Sequence, residues 1–352
     1  MLRIADRTLK TLGAAVVVGA LVLSLLTSSS GAATTVSTFV GSSSPTLANF
    51  PNQSVVDSLG RLWVVSNDNP GWFLTRVDAS GTAEIVWSYS ATALPSPSDC
   101  TDQRNYGIAS HGGRIYWTCM NSAVYSISEN VVAPATTADI TLEVAGAGRA
   151  FSGVAVAPNG DIYVSEWGNH LYKHPAGSSV GTVTTVATPP AATDMWAMTF
   201  GPDGNLYVAN EDRIYVVDVA GGTDSVSLYF TAPSTSWSIA GLAFVPGTTD
   251  LVTSDTGWAG PPPVGVNVIA KSGSVGVLDR ELVPGSNPLV QGSSGLAIAA
   301  DGTIYVTITN AGSIHAITKI AGAVTPGTSS TTTSSPSTTN SGSDPVAPAF
   351  AG

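Results

Sequence analysis

Charge is scarce in this chain. Of its 352 residues, 13 are Lys or Arg, 24 are Asp or Glu and 4 are His. Helical bundles and coiled coils need long Glu-, Lys- and Leu-rich stretches, and a charged fraction of 11% does not supply them. The shortage is sharpest on the basic side. A nucleic-acid binder needs a cationic footprint to displace counterions, and no stretch here provides one. Cysteine is limited to Cys100 and Cys119, which excludes a scaffold stapled by many bridges. Two cysteines without a neighbouring His also make a poor zinc site. There is no P-loop, no Gly-x-Gly-x-x-Gly after a strand, no His-Glu-x-x-His and no Gly-x-Ser-x-Gly elbow. What is plentiful is turn chemistry, with 37 Gly and 22 Pro, and apolar residues at 43%, enough for a large core.

The one long apolar run, Leu12 to Leu26, follows Arg3, Arg7 and Lys10 and precedes the small residues Gly31-Ala32-Ala33. It is shorter than the ~20 residues that span a bilayer. Residues 1–33 therefore read as a secretory signal peptide. Its removal leaves a chain without a membrane span, with 10 basic and 23 acidic residues and a net charge of −13. The expected location is secreted or cell-surface, and the expected state is a monomer. In that oxidising setting Cys100 and Cys119 are expected to form a disulfide, stabilising by ~3 kcal/mol in the chain-entropy model.

The middle of the chain repeats. The copies are Gly60-Arg61-Leu62-Trp63-Val64, Gly113-Arg114-Ile115-Tyr116-Trp117, Gly160-Asp161-Ile162-Tyr163-Val164, Gly204-Asn205-Leu206-Tyr207-Val208 and Gly302-Thr303-Ile304-Tyr305-Val306. A degenerate copy, Thr249-Asp250-Leu251-Val252-Thr253, fills the remaining gap. The spacings of 53, 47, 44, 45 and 53 residues suit one four-stranded propeller blade each. Within a copy, a small apolar strand such as Gly153-Val154-Ala155-Val156 leads into an Asn-Gly or Asp-Gly turn, a strong hairpin signal. Two further strands complete the unit. The predicted fold is all-β, a six-bladed propeller over residues 34–325. The sixth copy lacks a fourth strand, while Thr35–Val40 forms an orphan β segment. That N-terminal strand is expected to complete the last blade and remove its open edge. From Gly327 to Ser343, 13 of 17 residues are Ser or Thr, so 326–352 is expected to be a disordered Ser/Thr/Pro-rich tail.

The stretch from Gly153 to Glu166 carries the clearest pattern, and the chain from about 50 to 320 resembles NHL repeats. More distantly it is similar to SMP-30/gluconolactonase and virginiamycin B lyase-like propellers. The first expectation is a binding or scaffold module that recognises an extracellular saccharide, small molecule or protein through its channel face. The resemblance implies the alternative of a metal-dependent hydrolase or lyase using Ca²⁺ or Mg²⁺ and a His base. The Phe50-Pro51-Asn52-Gln53-Ser54 segment departs from the Glu-Gly-Pro-type start of SMP-30-like enzymes, which weakens the hydrolase expectation.

On a propeller plan, the second-to-third hairpins and the connections between blades meet around the channel on one face. Asp68, Glu166, Glu211 and Asp255 fall in equivalent hairpin slots and are the candidate metal ligands, because hard cations take carboxylate oxygens. Trp167, His170, Trp196, Trp237, Trp258, Tyr106 and Asn105 are the candidate ligand-binding residues, because rings stack on sugar faces while polar groups bind hydroxyls. Each also has a plain structural reading: Asn and Asp cap turns, and Trp fills gaps between blades. Of the four histidines only His170, beside Glu166, is expected on this face. The Gly257–Gly265 insertion with its Pro run would present Trp258.

Overall fold

The structure is a computed structural model that describes residues 34–41, 51–68, 71–89, 93–95, 107–119, 123–146, 148–167, 170–186, 189–190, 195, 197–256, 264–309 and 315–327. These residues form six four-stranded antiparallel sheets. After β1 (Thr35–Val40), blade one contains β2 (Pro51–Val56), β3 (Leu62–Asp68), β4 (Gly71–Val77) and β5 (Ala83–Ser88). Blade two contains β6 (Ile108–His111), β7 (Arg114–Cys119), β8 (Ala123–Ser128) and β9 (Ile140–Ala145). Blade three contains β10 (Phe151–Val156), β11 (Ile162–Glu166), β12 (His170–His174) and β13 (Thr184–Val186). Blade four contains β14 (Met198–Phe200), β15 (Leu206–Asn210), β16 (Arg213–Asp218) and β17 (Ser225–Thr231). Blade five contains β18 (Ile239–Phe244), β19 (Leu251–Asp255), β20 (Val266–Ser272) and β21 (Val275–Val283). Blade six contains β22 (Ser293–Ile298), β23 (Ile304–Thr309), β24 (His315–Ala321) and β1. Each first strand packs against the next, β2 on β6, β6 on β10 and so on to β22 on β2. The ring is a closed six-bladed propeller.

The closing strand lies where the orphan segment was expected to go. β1 pairs antiparallel with β24, from Thr35 opposite Ala321 to Val40 opposite Ile317, with a bulge between Thr38 and Val40. Blade six is thereby built from both ends of the described chain.

Two features of the repeat explain the ring. The motif glycine turns the first strand into the second, and Gly60, Gly160, Gly204 and Gly302 have φ between 77° and 88°, a conformation other residues rarely adopt. The motif aromatic then packs across to the following blade. Tyr163 meets Phe200 edge-on at 5.6 Å, and Tyr207 meets Phe244 at 4.9 Å. Such pairs fill the wedge between neighbouring sheets.

The residue five positions after the motif glycine forms a latch between blades. Thr118 donates to Ser152 O at 2.7 Å, and Ser165 donates to Met195 O. Ser254 accepts from Ser293 at 2.7 Å, and Thr307 donates to Asn52 O across the closing seam. Blades one and four carry Val65 and Ala209 in this slot and form their interfaces without the hydroxyl. A first-strand glycine allows the close approach. A Cβ on Gly107 would lie 2.6 Å from Ser152 O, and one on Gly295 would lie 2.7 Å from Asn52 O.

Thr307→Val should therefore fold, since blade one already holds Val in that slot, but should lose about 1–2 kcal/mol by denaturant unfolding. A loss no greater than for an exposed Thr→Val control would show that the latch contributes nothing.

Candidate functional site

The second-to-third hairpins and the blade-to-blade connections share one rim, and blade three places a connected polar cluster there. β11 ends at Glu166 and β12 begins at His170, the two residues lying opposite each other in the ladder. Tyr172 donates its hydroxyl to Glu166 at 2.7 Å, and His170 Nδ1 lies 3.4 Å from the same carboxylate oxygen. The His170 and Tyr172 rings stack with centroids 6.0 Å apart. The Arg149 guanidinium lies 4.6 Å from the Tyr172 ring centre, a cation–π contact. Burial and the Glu166 hydrogen bond push the Tyr172 hydroxyl up, against the opposing effect of Arg149. Tyr172 therefore stays a neutral donor to Glu166 at neutral pH.

Trp167 completes the cluster. Its backbone N–H bonds Ala150 O at 2.8 Å, tying the hairpin to the segment that leads into β10. Its side chain is 38% exposed, against 7% for Trp237. Trp237 packs on Phe230 at 6.0 Å within the core between blades four and five. The neighbours of Trp237 are apolar side chains, and they bury it.

Glu211 and Asp255 come together around the start of β18. Glu211 holds a left-handed backbone with φ 52° and accepts Ile239 N–H through its carbonyl at 3.0 Å. The Asp255 carboxylate accepts the neighbouring Ser238 N–H and is 2% exposed. Asp68 closes the β3–β4 hairpin opposite Gly71. Among the described residues no three His, Cys, Asp or Glu side chains form a group that could hold a metal ion. Asn105, Tyr106, Trp196, Trp258, the signal segment 1–33 and residues 328–352 lie outside the described residues. So does Cys100; Cys119 is fully buried at the end of β7.

The channel is walled by the first strands of all six blades. A cavity of about 330 Å³ lies among the later halves of the six first strands. Its mouth, on the face of the first-to-second turns, is ringed by Val56, Ser110, Val156, Phe200, Phe244 and Ile298. Toward the other rim Gln53 reaches to the two blades that precede its own in the ring. Its amide donates to Ala240 O of blade five at 2.5 Å and to Ser294 O of blade six at 2.9 Å. Gln53 stands where four other blades have glycine, so the side chain fills space the ring otherwise leaves open.

With this geometry in hand, the chain can be set beside known proteins. No family model and no curated protein sequence matches it. The likeness to NHL repeats therefore rests on the motif residues alone. Many solved structures share its fold. Virginiamycin B lyase from Staphylococcus aureus superposes with a TM-score of 0.53 at 14% identity, covering 82% of this chain and 99% of that one. The PQQ-bound aldose sugar dehydrogenase from Streptomyces coelicolor gives 0.56 at 13%, covering 82% and 98%. A chain of a mitotic checkpoint complex gives 0.54 at 13%, covering 90% and 98%. The shared property is the propeller. A lyase, a dehydrogenase and a checkpoint protein fit about equally well, so the superposition carries fold and no chemistry.

Arg149 and Tyr172 were not singled out from sequence. Tyr172 was legible in principle, since it lies two residues after His170 in one strand and so on the same side of the sheet. Arg149 sits in an irregular connection, and nothing local marks it.

The turn face carries a different set of charges. Asp203 accepts from Tyr207 at 2.9 Å and from Lys271 of blade five at 3.3 Å. Burial pushes its carboxyl up, but the Tyr207 and Asn205 hydrogen bonds and the Lys271 ammonium outweigh this and hold it below the usual range. Asp161 is held low in the same way: burial is outweighed by Lys173, the Ala176 amide and Asn159. A carboxyl lowered in the folded state stabilises above its unfolded value and gives up that contribution as pH falls. The melting temperature should drop between about pH 5 and pH 3, and Asp203→Asn should flatten part of that slope. An identical pH profile in the variant would contradict the assignment.

Proposed function

We propose that the protein is an exported propeller that binds a saccharide through the rim of second-to-third hairpins, at blade three. The observation that supports this is Trp167, 38% exposed in the hairpin that joins Glu166 to His170, with Arg149 over Tyr172 close by. An exposed indole offers a flat apolar face to a sugar, and the carboxylate, imidazole and guanidinium supply acceptors and donors for hydroxyls. Trp196, Trp258, Tyr106 and Asn105 belong to the same reading as further contributors. The proposal includes a secreted or cell-surface monomer with an oxidised Cys100–Cys119 pair. Alkylation under denaturing conditions should label no thiol before reduction and two after it; labelling before reduction would remove the bridge from the proposal.

The binding claim is tested by titrating soluble oligosaccharides from bacterial and plant cell walls into the protein. A bound sugar should lose about fivefold or more in affinity in Trp167→Ala and in His170→Ala, since stacked and hydrogen-bonded contacts are each worth about 1 kcal/mol. Absence of any binding, or unchanged affinity in both variants, would sink it.

One observation favours a second reading. His170 beside Glu166 has the form of a base held by a carboxylate, which suits a hydrolase or lyase assisted by Ca²⁺ or Mg²⁺. The structural likeness to virginiamycin B lyase is consistent with it. Turnover of virginiamycin B that disappears with chelator and in His170→Ala would select this reading over simple binding.

A further inference from the structure

A groove beside blade four lies apart from the blade-three cluster and from the channel. Blade three ends its fourth strand early. β13 stops at Val186, opposite Leu171, and Pro189-Pro190 follow, without N–H groups to continue a ladder. Blade four carries two rungs near the rim, Arg213 paired with Thr231 and Tyr215 paired with Leu228. The neighbouring Ile214–Phe230 pair is buried against blade five. Strand alternation therefore turns the Arg213 and Tyr215 rungs the other way, toward blade three. With Val226 and Pro190 they line a groove of about 380 Å³, within the ~300–1,000 Å³ range of small-molecule sites. Tyr172, which carries the blade-three cluster, packs on the opposite side, toward blade two.

Two chemistries meet in the groove. Leu228 is 49% exposed, and Val226, Tyr215 and Pro190 extend its apolar surface. Arg213 is the one charged residue among those lining it. Among the described residues its carboxylate neighbour is Asp212, whose Oδ1 lies 3.8 Å from Nε, beyond hydrogen-bond distance. The Arg213 side chain is 44% exposed, so its guanidinium is open to an incoming acceptor.

We propose that this groove binds a small monocarboxylate with an apolar body. The carboxylate pairs with the Arg213 guanidinium, whose planar fork matches it. The exposed Thr231 adds a hydroxyl at the same end. The body lies along Leu228, Val226 and Tyr215, beside Pro190. One negative charge suits the site better than two, because a single cation faces it and the Asp212 carboxylate beside Arg213 repels a second.

The test is titration at pH 7 with 3-phenylpropionate and 3-phenyl-1-propanol, followed by ligand-observed NMR. The two share a body and differ in charge. The acid should bind saturably, and the alcohol about fivefold or more weakly, the loss of one charge-assisted pair. Arg213→Gln should bring the acid down to the affinity of the alcohol and leave the alcohol unchanged. Leu228→Ala should weaken both by about threefold, through lost apolar contact. Raising NaCl from about 0.05 to about 0.5 M should weaken the acid and leave the alcohol unchanged. No saturable binding of the acid, equal binding of the alcohol, or an acid affinity unchanged in Arg213→Gln overturns the proposal. Should that variant lose its cooperative melt, the salt dependence of the parent and Leu228→Ala decide, and an acid affinity unmoved by either one overturns the site.

Discussion

Everything in this molecule depends on closing the ring. Six sheets that each pack only on their neighbours have no core of their own to hold them, and one open seam would expose two apolar sheet faces. The seam between blades six and one is closed twice. β1 is the outer strand of blade six and leads directly into blade one, so the two blades are covalently linked in both directions around the ring. On the inner side, Ser294 and Thr309 both donate to Pro51 O at 2.5 Å, and Thr307 donates to Asn52 O. The contact spans about the whole length of the fold, with Thr35 opposite Ala321. Pairings this distant in sequence form only after much of the chain has ordered.

That same demand shapes the channel. Blades that approach through a hydroxyl-to-backbone latch leave no room for a Cβ at the adjoining first-strand position, and hence Gly107, Gly241 and Gly295 stand there. Where the latch slot holds Val65 or Ala209, no hydroxyl reaches across. Blade one departs again at Gln53, which trades a small residue for an amide long enough to bond two other blades. The channel is therefore not a uniform tube. Gln53 bridges blades toward the hairpin face, and the cavity of about 330 Å³ lies toward the turn face.

Most of the architecture was legible in the sequence because the repeat expresses a local rule. Asn-Gly and Asp-Gly turns need positive φ, the motif aromatics need a sheet face to bury against, and both constraints act within a few residues. The closing strand was legible by a count: five copies had a fourth strand and the sixth did not. The site was legible only in part. Placing Glu166 and His170 together follows from hairpin register, which a sequence reveals. Turning Trp237 inward does not, because it depends on Phe230 and on the apolar residues of two different blades. The same holds for Asp255. Its slot is equivalent to that of Glu166, yet its carboxylate holds the backbone of Ser238 where Glu166 holds side chains. Ring symmetry predicts where a residue stands, while its partners come from neighbours that symmetry does not relate.

Function in such a ring has to arise where the blades differ. Six identical blades would present six identical edges to the axis, and no single orientation of a ligand would be favoured over the others. Blade three breaks the equivalence with Arg149, Tyr172 and the exposed Trp167. Blade one breaks it with Gln53 and the unpaired Ser54 hydroxyl. Blades four and five break it with Phe200 and Phe244 at the mouth. Blade four also bends Glu211 into a left-handed conformation, an arrangement unfavourable for a non-glycine residue. There the Glu211 carbonyl receives the first amide of β18, so the strain is absorbed by the junction with blade five and not by a ligand site. The departures thus fall into two kinds. Those that restore a backbone hydrogen bond between blades serve closure. Those that leave a side chain exposed, as Trp167 is at the rim, present a surface to solvent, and it is there that the fold leaves room for recognition.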